Sequence, residues 1–144
     1  MKKRRARLVA LGVFTNAGRI LVSNGADSSS GERFERPLGG GIEFGELAEE
    51  ALVREIREEL EREIADVRLL GVLENRFTFD GRQRHEVLFV FDARFVDEAI
   101  YAQDQIMGVE ADGSLIEARW RTLGADDVAL YPQGLENLLG VNPE

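Results

Sequence analysis

The chain has 144 residues, 44% hydrophobic and 31% charged, which supplies the core of one domain spanning 1–144 and a soluble surface. It carries a net charge of −9 and no cysteine. These values exclude disulfides, a thiol nucleophile and cysteine-ligated zinc, and they argue against a general nucleic-acid surface, since phosphate backbones recruit basic proteins.

The start, MKKRRARLVALGVF, pairs a basic run with apolar residues in the manner of a signal peptide. The apolar part is short, lacks a small-residue cleavage site and runs into the turn Asn16-Ala17-Gly18-Arg19, so a first strand over Arg7 to Thr15 is expected instead. Ile20 to Ser23 is its hairpin partner. No segment is long enough to span a membrane, and a cytoplasmic protein is expected. The polar run Asn24 to Gly31 reads as a mobile loop, either a plain connection or a wall of a cleft. In Glu32 to Leu38, Pro37 biases Arg36 to an extended conformation.

A glycine-rich loop, Gly39 to Gly41, then leads into a helix predicted from about Glu46 to Arg62. From Glu46 to Glu63 the chain holds eight glutamates and three arginines, a net of −5 and more than half of the whole acidic excess. At helical spacing Glu55, Glu58 and Glu59 fall on one side, beside an apolar stripe of Leu52, Ile56 and Leu60, while Arg54 and Arg57 point away. Like charges at this spacing repel, and burial beside the stripe raises carboxylate pKa values unless something compensates. A divalent cation compensates. Mg²⁺ takes oxygen ligands and bridges protein carboxylates to substrate phosphates. The glycines permit close approach of the backbone, whose carbonyls are further candidate ligands. Arg33 and Arg36, close in sequence to this loop, are candidates for phosphate contact, the plainer reading being solvent-facing arginines.

Ala65 to Glu74 reads as a strand with a bulge near Gly71. Phe77 to Asp80 reads as a second strand, turning at Gly81-Arg82. His85 to Phe95 is the longest alternating strand, apolar on both faces and so central. Val96 to Gly113 reads as a long polar connection with a short helical option. Ser114 to Thr122 is a last strand, with Trp120 either in the core or walling a cleft. Asp126 to Leu130 leads to Tyr131-Pro132, and Pro132 is placed to open a final helix.

The acidic helix carries a resemblance. Nudix hydrolases share the pattern G-x5-E-x7-R-E-U-x-E-E-x-G-U, with U a bulky aliphatic residue, and Gly40, Glu46, Arg54, Glu55, Ile56, Glu58 and Glu59 match it. Glu61 and Arg62 depart, standing where the family has glycine and an aliphatic residue. That departure suggests a helix running on, with Arg62 reaching back to Glu58 or Glu59, rather than one ending in a left-handed cap.

The resemblance implies a Nudix-type α/β/α sandwich around a central mixed β-sheet. It also implies Mg²⁺-dependent hydrolysis, with Mn²⁺ as the alternative ion, of a pyrophosphate bond in a nucleoside diphosphate derivative. Nucleoside di- or triphosphates lead, ahead of ADP-ribose, other nucleotide sugars and dinucleoside polyphosphates. It implies metal ligation by the Gly39 carbonyl, Glu55, Glu58 and Glu59, with Arg54 orienting the glutamates. The general base is Glu55 or a carboxylate from 97–112, where Asp97, Glu98, Asp104, Glu110 and Asp112 are candidates. Glu98 is the first choice because it lies just beyond the strand end. The competing readings are a nucleotide-binding module on the same fold without turnover, and an isoprenoid diphosphate isomerase, whose chemistry favours a cysteine. The partner is a nucleotide-type small molecule, and the chain is a monomer or homodimer.

Overall fold

The computed structural model describes residues 4–124 and 128–140. Asp126 and Asp127, in the predicted lead-in to Leu130, lie outside them. The elements run β1 (Arg7–Val13), β2 (Thr15–Asn16), β3 (Arg19–Ala26), β4 (Arg33–Gly41), α1 (Ala48–Leu60), β5 (Ile64–Phe79), β6 (Arg82–Phe95), a 3-10 helix (Glu98–Ala102), β7 (Gln105–Val109), β8 (Leu115–Thr122), β9 (Ala129–Leu130) and α2 (Leu135–Leu138). The sheet order is β5-β6-β1-β4-β3-β8-β7, with β2 on β3 and β9 on β4. β1–β6 and β4–β9 are parallel and the other pairs antiparallel.

The apolar alternation sorts side chains to two faces. Ala10, Phe14, Leu21 and Phe91 join Leu52, Ile56 and Leu60 of α1 in the main core. Val13, Ile20, Val22 and Val90 pack with Leu135 of α2 in a second one. This is the expected mixed sheet between helices. Trp120 is core: its indole N–H donates to the Gln103 carbonyl at 2.9 Å, and its ring stacks on Tyr101. No helix among the described residues is long and apolar enough to cross a membrane.

Several predicted boundaries move. The triglycine run is not a loop but the end of β4, where Gly39, Gly40 and Gly41 pair with Leu11, Ala10 and Val9. Strand pairing reaches past Ser23 to Ala26, so the predicted 24–31 loop shrinks to a tight turn. The two strands expected at 65–80 are one 16-residue strand, β5, whose register shifts fall at Ala65/Arg68 and Leu69/Gly71. The 96–113 connection is ordered by β7, which pairs with β8 and closes the sheet edge. Pro132 does not open the last helix; α2 begins three residues later, behind Gly134.

The helix departs from expectation at both ends. It starts at Ala48, where the Leu47 amide donates to Glu50 Oε1 at 2.8 Å. It stops at Leu60 because Glu61 takes the left-handed cap (φ 55°), its amide donating to the Arg57 carbonyl. The cap that suits glycine is thus formed by a glutamate. Arg62 does not reach back: its Nε is buried with no hydrogen-bond partner.

A buried charge cluster fixes the β4–β3–β8 region. Glu35 is 1% exposed. Arg119 donates to its Oε2 at 2.6 Å and its Oε1 at 2.7 Å, and Arg121 to Oε1 at 3.1 Å.

Candidate active site

The site forms where β4 meets α1. Helical spacing puts Glu55 and Glu59 on the side of α1 that faces β4, beside the buried Leu52 and Ile56. A cleft of about 250 Å³ is lined by Gly39, Gly40, Gly41, Glu55, Glu58, Glu59, Arg36, Arg7 and Glu110. The Glu55 carboxylate lies directly on Gly40: a methyl group built there would come within 2.6 Å of both carboxylate oxygens. Gly39 (φ 150°) is equally constrained, because its added carbon would strike the Ala10 carbonyl oxygen.

Arg54 organises the acidic face. Its Nε donates to Glu46 Oε2 at 2.7 Å and its Nη2 to Glu46 Oε1 at 3.0 Å and to the Gly41 carbonyl at 2.9 Å. Its Nη1 donates to Glu55 at 3.0 Å and Glu58 at 3.3 Å. The helical projection turns the Arg54 Cα away, but the long side chain curls back over the loop. Glu46 also accepts from the Glu43 amide at 3.0 Å, which ties the 42–47 loop to the helix. Hydrogen bonds from Arg54 hold the Glu46 carboxyl down at about 2, and Glu46 in turn raises the Arg54 pKa.

Glu59 is the enclosed member, 7% exposed. Burial, then a hydrogen bond and charge from Glu55, then Glu110, push its carboxyl well above the usual carboxylate range, with Arg36 opposing. Gly108 of β7 packs on the last helical turn, where a side chain would meet the Glu59 carbonyl and the Leu60 side chain, at 2.7 Å from the latter. β7 therefore delivers Glu110 to Glu59.

The donor set is carboxylates and peptide carbonyls, hard oxygen ligands suited to Mg²⁺ or Mn²⁺. Two anionic groups crowded beside a glycine that leaves room for them are what such a cation relieves. Among the described residues, no three acidic or imidazole side chains are drawn together as a ready-made metal cluster. Glu55 and Glu59 face one another closely enough for Glu55 to raise the Glu59 pKa, while Glu58 is turned to Arg54.

Of the residues picked from sequence, Gly39, Arg54, Glu55, Glu58, Glu59 and Arg36 come together here. Arg33 does not; it is exposed at the start of β4 and lines neither this cleft nor its neighbour. Glu98 does not either. It lines a separate cleft with Thr15, Asp66 and Tyr101, because the 3-10 helix carries it away from α1. Glu110, one of the five carboxylates weighed, is the one that arrives. Arg7 was missed: parallel pairing of β1 with β6 sets it opposite Glu86, and no local pattern signals a parallel pair.

A family model described as the NUDIX domain matches residues 3–132. No curated protein sequence matches the chain. Among solved structures, a MutT NUDIX hydrolase from Burkholderia pseudomallei superposes with a TM-score of 0.69 at 25% identity, over 96% of this chain and 100% of that one. A NUDIX hydrolase from Nitrosomonas europaea gives 0.64 at 15% identity, over 94% and 87%. A UDP-X diphosphatase gives 0.64 at 18% identity, over 97% and 64%. The last two speak for the fold alone.

Proposed function

The chain belongs to the Nudix hydrolases, enzymes that act on pyrophosphate bonds, and we propose that its substrate is a nucleoside diphosphate derivative cleaved with the help of Mg²⁺ or Mn²⁺. The observation that carries this reading is the packing of Glu55 onto Gly40 beside the enclosed Glu59, with Arg54 tying Glu46, Glu55 and Glu58 into one unit.

Pyrophosphate hydrolysis asks a protein for positioning and charge neutralisation more than for covalent chemistry. Glu55, Glu58, Glu59 and the Gly39 carbonyl would hold the cation, which would polarise phosphoryl oxygens and make water a better nucleophile. Arg54 orients the glutamates by charge-assisted bonds and keeps them apart from one another's repulsion. Arg36, whose charge already acts on Glu59, neutralises the phosphate. Glu110, in the same cleft, would take the proton as the water oxygen bonds to phosphorus and the bridging oxygen leaves with the bonding pair; Glu55 is the alternative base.

The test is release of phosphate or pyrophosphate from a panel of nucleoside di- and triphosphates, ADP-ribose and nucleotide sugars, with and without Mg²⁺. Cation-dependent release from at least one nucleotide is expected. No release from any of them would sink the nucleotide reading.

A further inference from the structure

A second cavity, about 360 Å³, opens from the glutamate cleft and shares Arg7, Ser23, Arg36 and Glu110 with it. A substrate gripped at the glutamates by its phosphates reaches this cavity with whatever it carries beyond them. The walls suit a planar group. Phe34, Phe79 and Tyr131 line it, with Phe34 edge-on to Phe79 at 5.8 Å and to Tyr131 at 5.3 Å. Gly25 lies against the Phe34 ring, where a methyl group would come within 2.6 Å of Cε2. Beside the cavity's Asp27 and Phe79, Ser28 donates from both its amide and its hydroxyl to Asp80, each at 2.7 Å.

One polar group in this cavity is underused. Glu86 is 7% exposed, yet its carboxylate meets Arg7 at 3.5 Å, a long contact to a half-exposed side chain. An enclosed carboxylate is stable only when its oxygens accept hydrogen bonds. The other carboxylates of the cavity differ. Asp27 accepts from Ser29 and Ser30 in its own turn, Glu32 is exposed, and Glu110 belongs to the cleft mouth. Arg7 also lines the glutamate cleft, where the anions of a substrate would compete with Glu86 for its guanidinium.

We infer that Glu86 reads the group beyond the phosphates, and that this group is a base presenting two adjacent N–H donors, as the N1 and N2 edge of guanine does. A carboxylate has two acceptor oxygens and no donor. It therefore fits that edge with two bonds, fits the single amino group of adenine or cytosine with one, and meets repulsion from the carbonyls flanking the uracil N–H. The inference rests on the nucleotide reading above and goes further by naming the base and the residue that selects it.

The experiment compares hydrolysis of the triphosphates of guanosine, adenosine, cytidine and uridine by the wild-type chain and by Glu86→Gln, with calorimetric binding of guanosine and uridine monophosphates alongside. A bidentate pair discriminates by about tenfold or more. Wild type is expected to favour guanosine over uridine by at least that factor in kcat/KM. Glu86→Gln is expected to lose it mainly through KM for the guanosine substrate. Hydrolysis without a guanine preference, or an equal loss on all four bases in Glu86→Gln, would overturn the inference and leave the family reaction standing. If no triphosphate is cleaved, monophosphate binding decides: tighter guanosine binding that Glu86→Gln abolishes upholds the role of Glu86, and equal binding refutes it. Should Glu86→Gln fail to fold, Glu86→Asp takes its place. It keeps a shortened carboxylate and is expected to retain part of the guanine preference, whereas a uniform loss on all bases counts against the assignment.

Discussion

Gly40 and Glu55 occupy adjoining space with nothing to spare: the glutamate's carboxylate fills the volume where any other residue at 40 would place its first side-chain carbon. Gly40→Ala should leave the β4–β1 pairing intact, since it has an ordinary backbone conformation, but displace Glu55. A shift of about 1 Å at a catalytic group costs about a hundredfold in rate. Steady-state kcat with an unchanged melting curve checks this, and near-normal turnover would contradict it.

Glu110 and Glu98, both in the 96–113 segment, line different clefts, the first the glutamate cleft and the second a separate one. Glu110→Gln should lower kcat by about 10²- to 10⁴-fold, the range for removing a general base. Glu98→Gln should change it little. The reverse pattern in the two kcat values would return the base to the 3-10 helix.

Metal binding should be visible without turnover. A cation that binds the folded state alone stabilises it by about 2.7 kcal/mol at a hundred times its dissociation constant. Wild type should therefore melt at a higher temperature with saturating Mg²⁺. Glu59→Gln should show little of that gain, because the enclosed ligand is gone, while melting normally in its absence. An equal Mg²⁺ shift in both proteins would remove Glu59 from the metal site.

Acid should undo the loop–helix junction. Arg54 depresses the Glu46 carboxyl from 4.5 to about 2, so the folded state holds its charge more strongly than the unfolded chain does. The stabilisation is complete above pH 4.5 and is lost as the pH falls toward 2. In NMR the Glu46 side chain should titrate near the bottom of that window, and the melting difference between wild type and Glu46→Gln should shrink across it. A titration midpoint at the ordinary carboxylate value would show the Arg54 contact to be absent in solution.

Glu61→Gly should stabilise the protein. A non-glycine residue in the left-handed region costs about 1–2 kcal/mol, and Glu61 stands there with φ 55°. A gain of about 1 kcal/mol corresponds to about 2–4 °C in a domain somewhat larger than this one. Calorimetric melting measures it, and a lower transition would mean that the Glu61 side chain contributes more than its backbone strain removes.

Much of the site was legible because it is local. Glu55, Glu58 and Glu59 lie within five residues, and helical periodicity alone sets them on one side with Leu52, Ile56 and Leu60. The Gly39–Gly41 run signalled close approach but not its form, since only the long-range pairing with β1 makes it a strand. The same limit hid Arg7 and Glu86, brought together by a parallel pair almost 80 residues apart in sequence. Glu98 was favoured by nearness to a strand end. The pairing of β7 with β8, which carries Glu110 to Glu59 instead, depends on Gly108 fitting under the last turn of α1, a contact no local pattern encodes.

The charge cluster at Glu35 guards against misthreading. Side chains alternate along a strand, so sliding β8 by one position against β3 would swing both guanidiniums to the Trp120 side and abandon a carboxylate deep in the protein. Stranding a buried ion costs about 3–5 kcal/mol, a large share of the 5–15 kcal/mol that holds a typical domain together. The two arginines thus act as a ratchet: slipped arrangements of the C-terminal hairpin are too costly to persist, and the chain settles with Trp120 facing Tyr101.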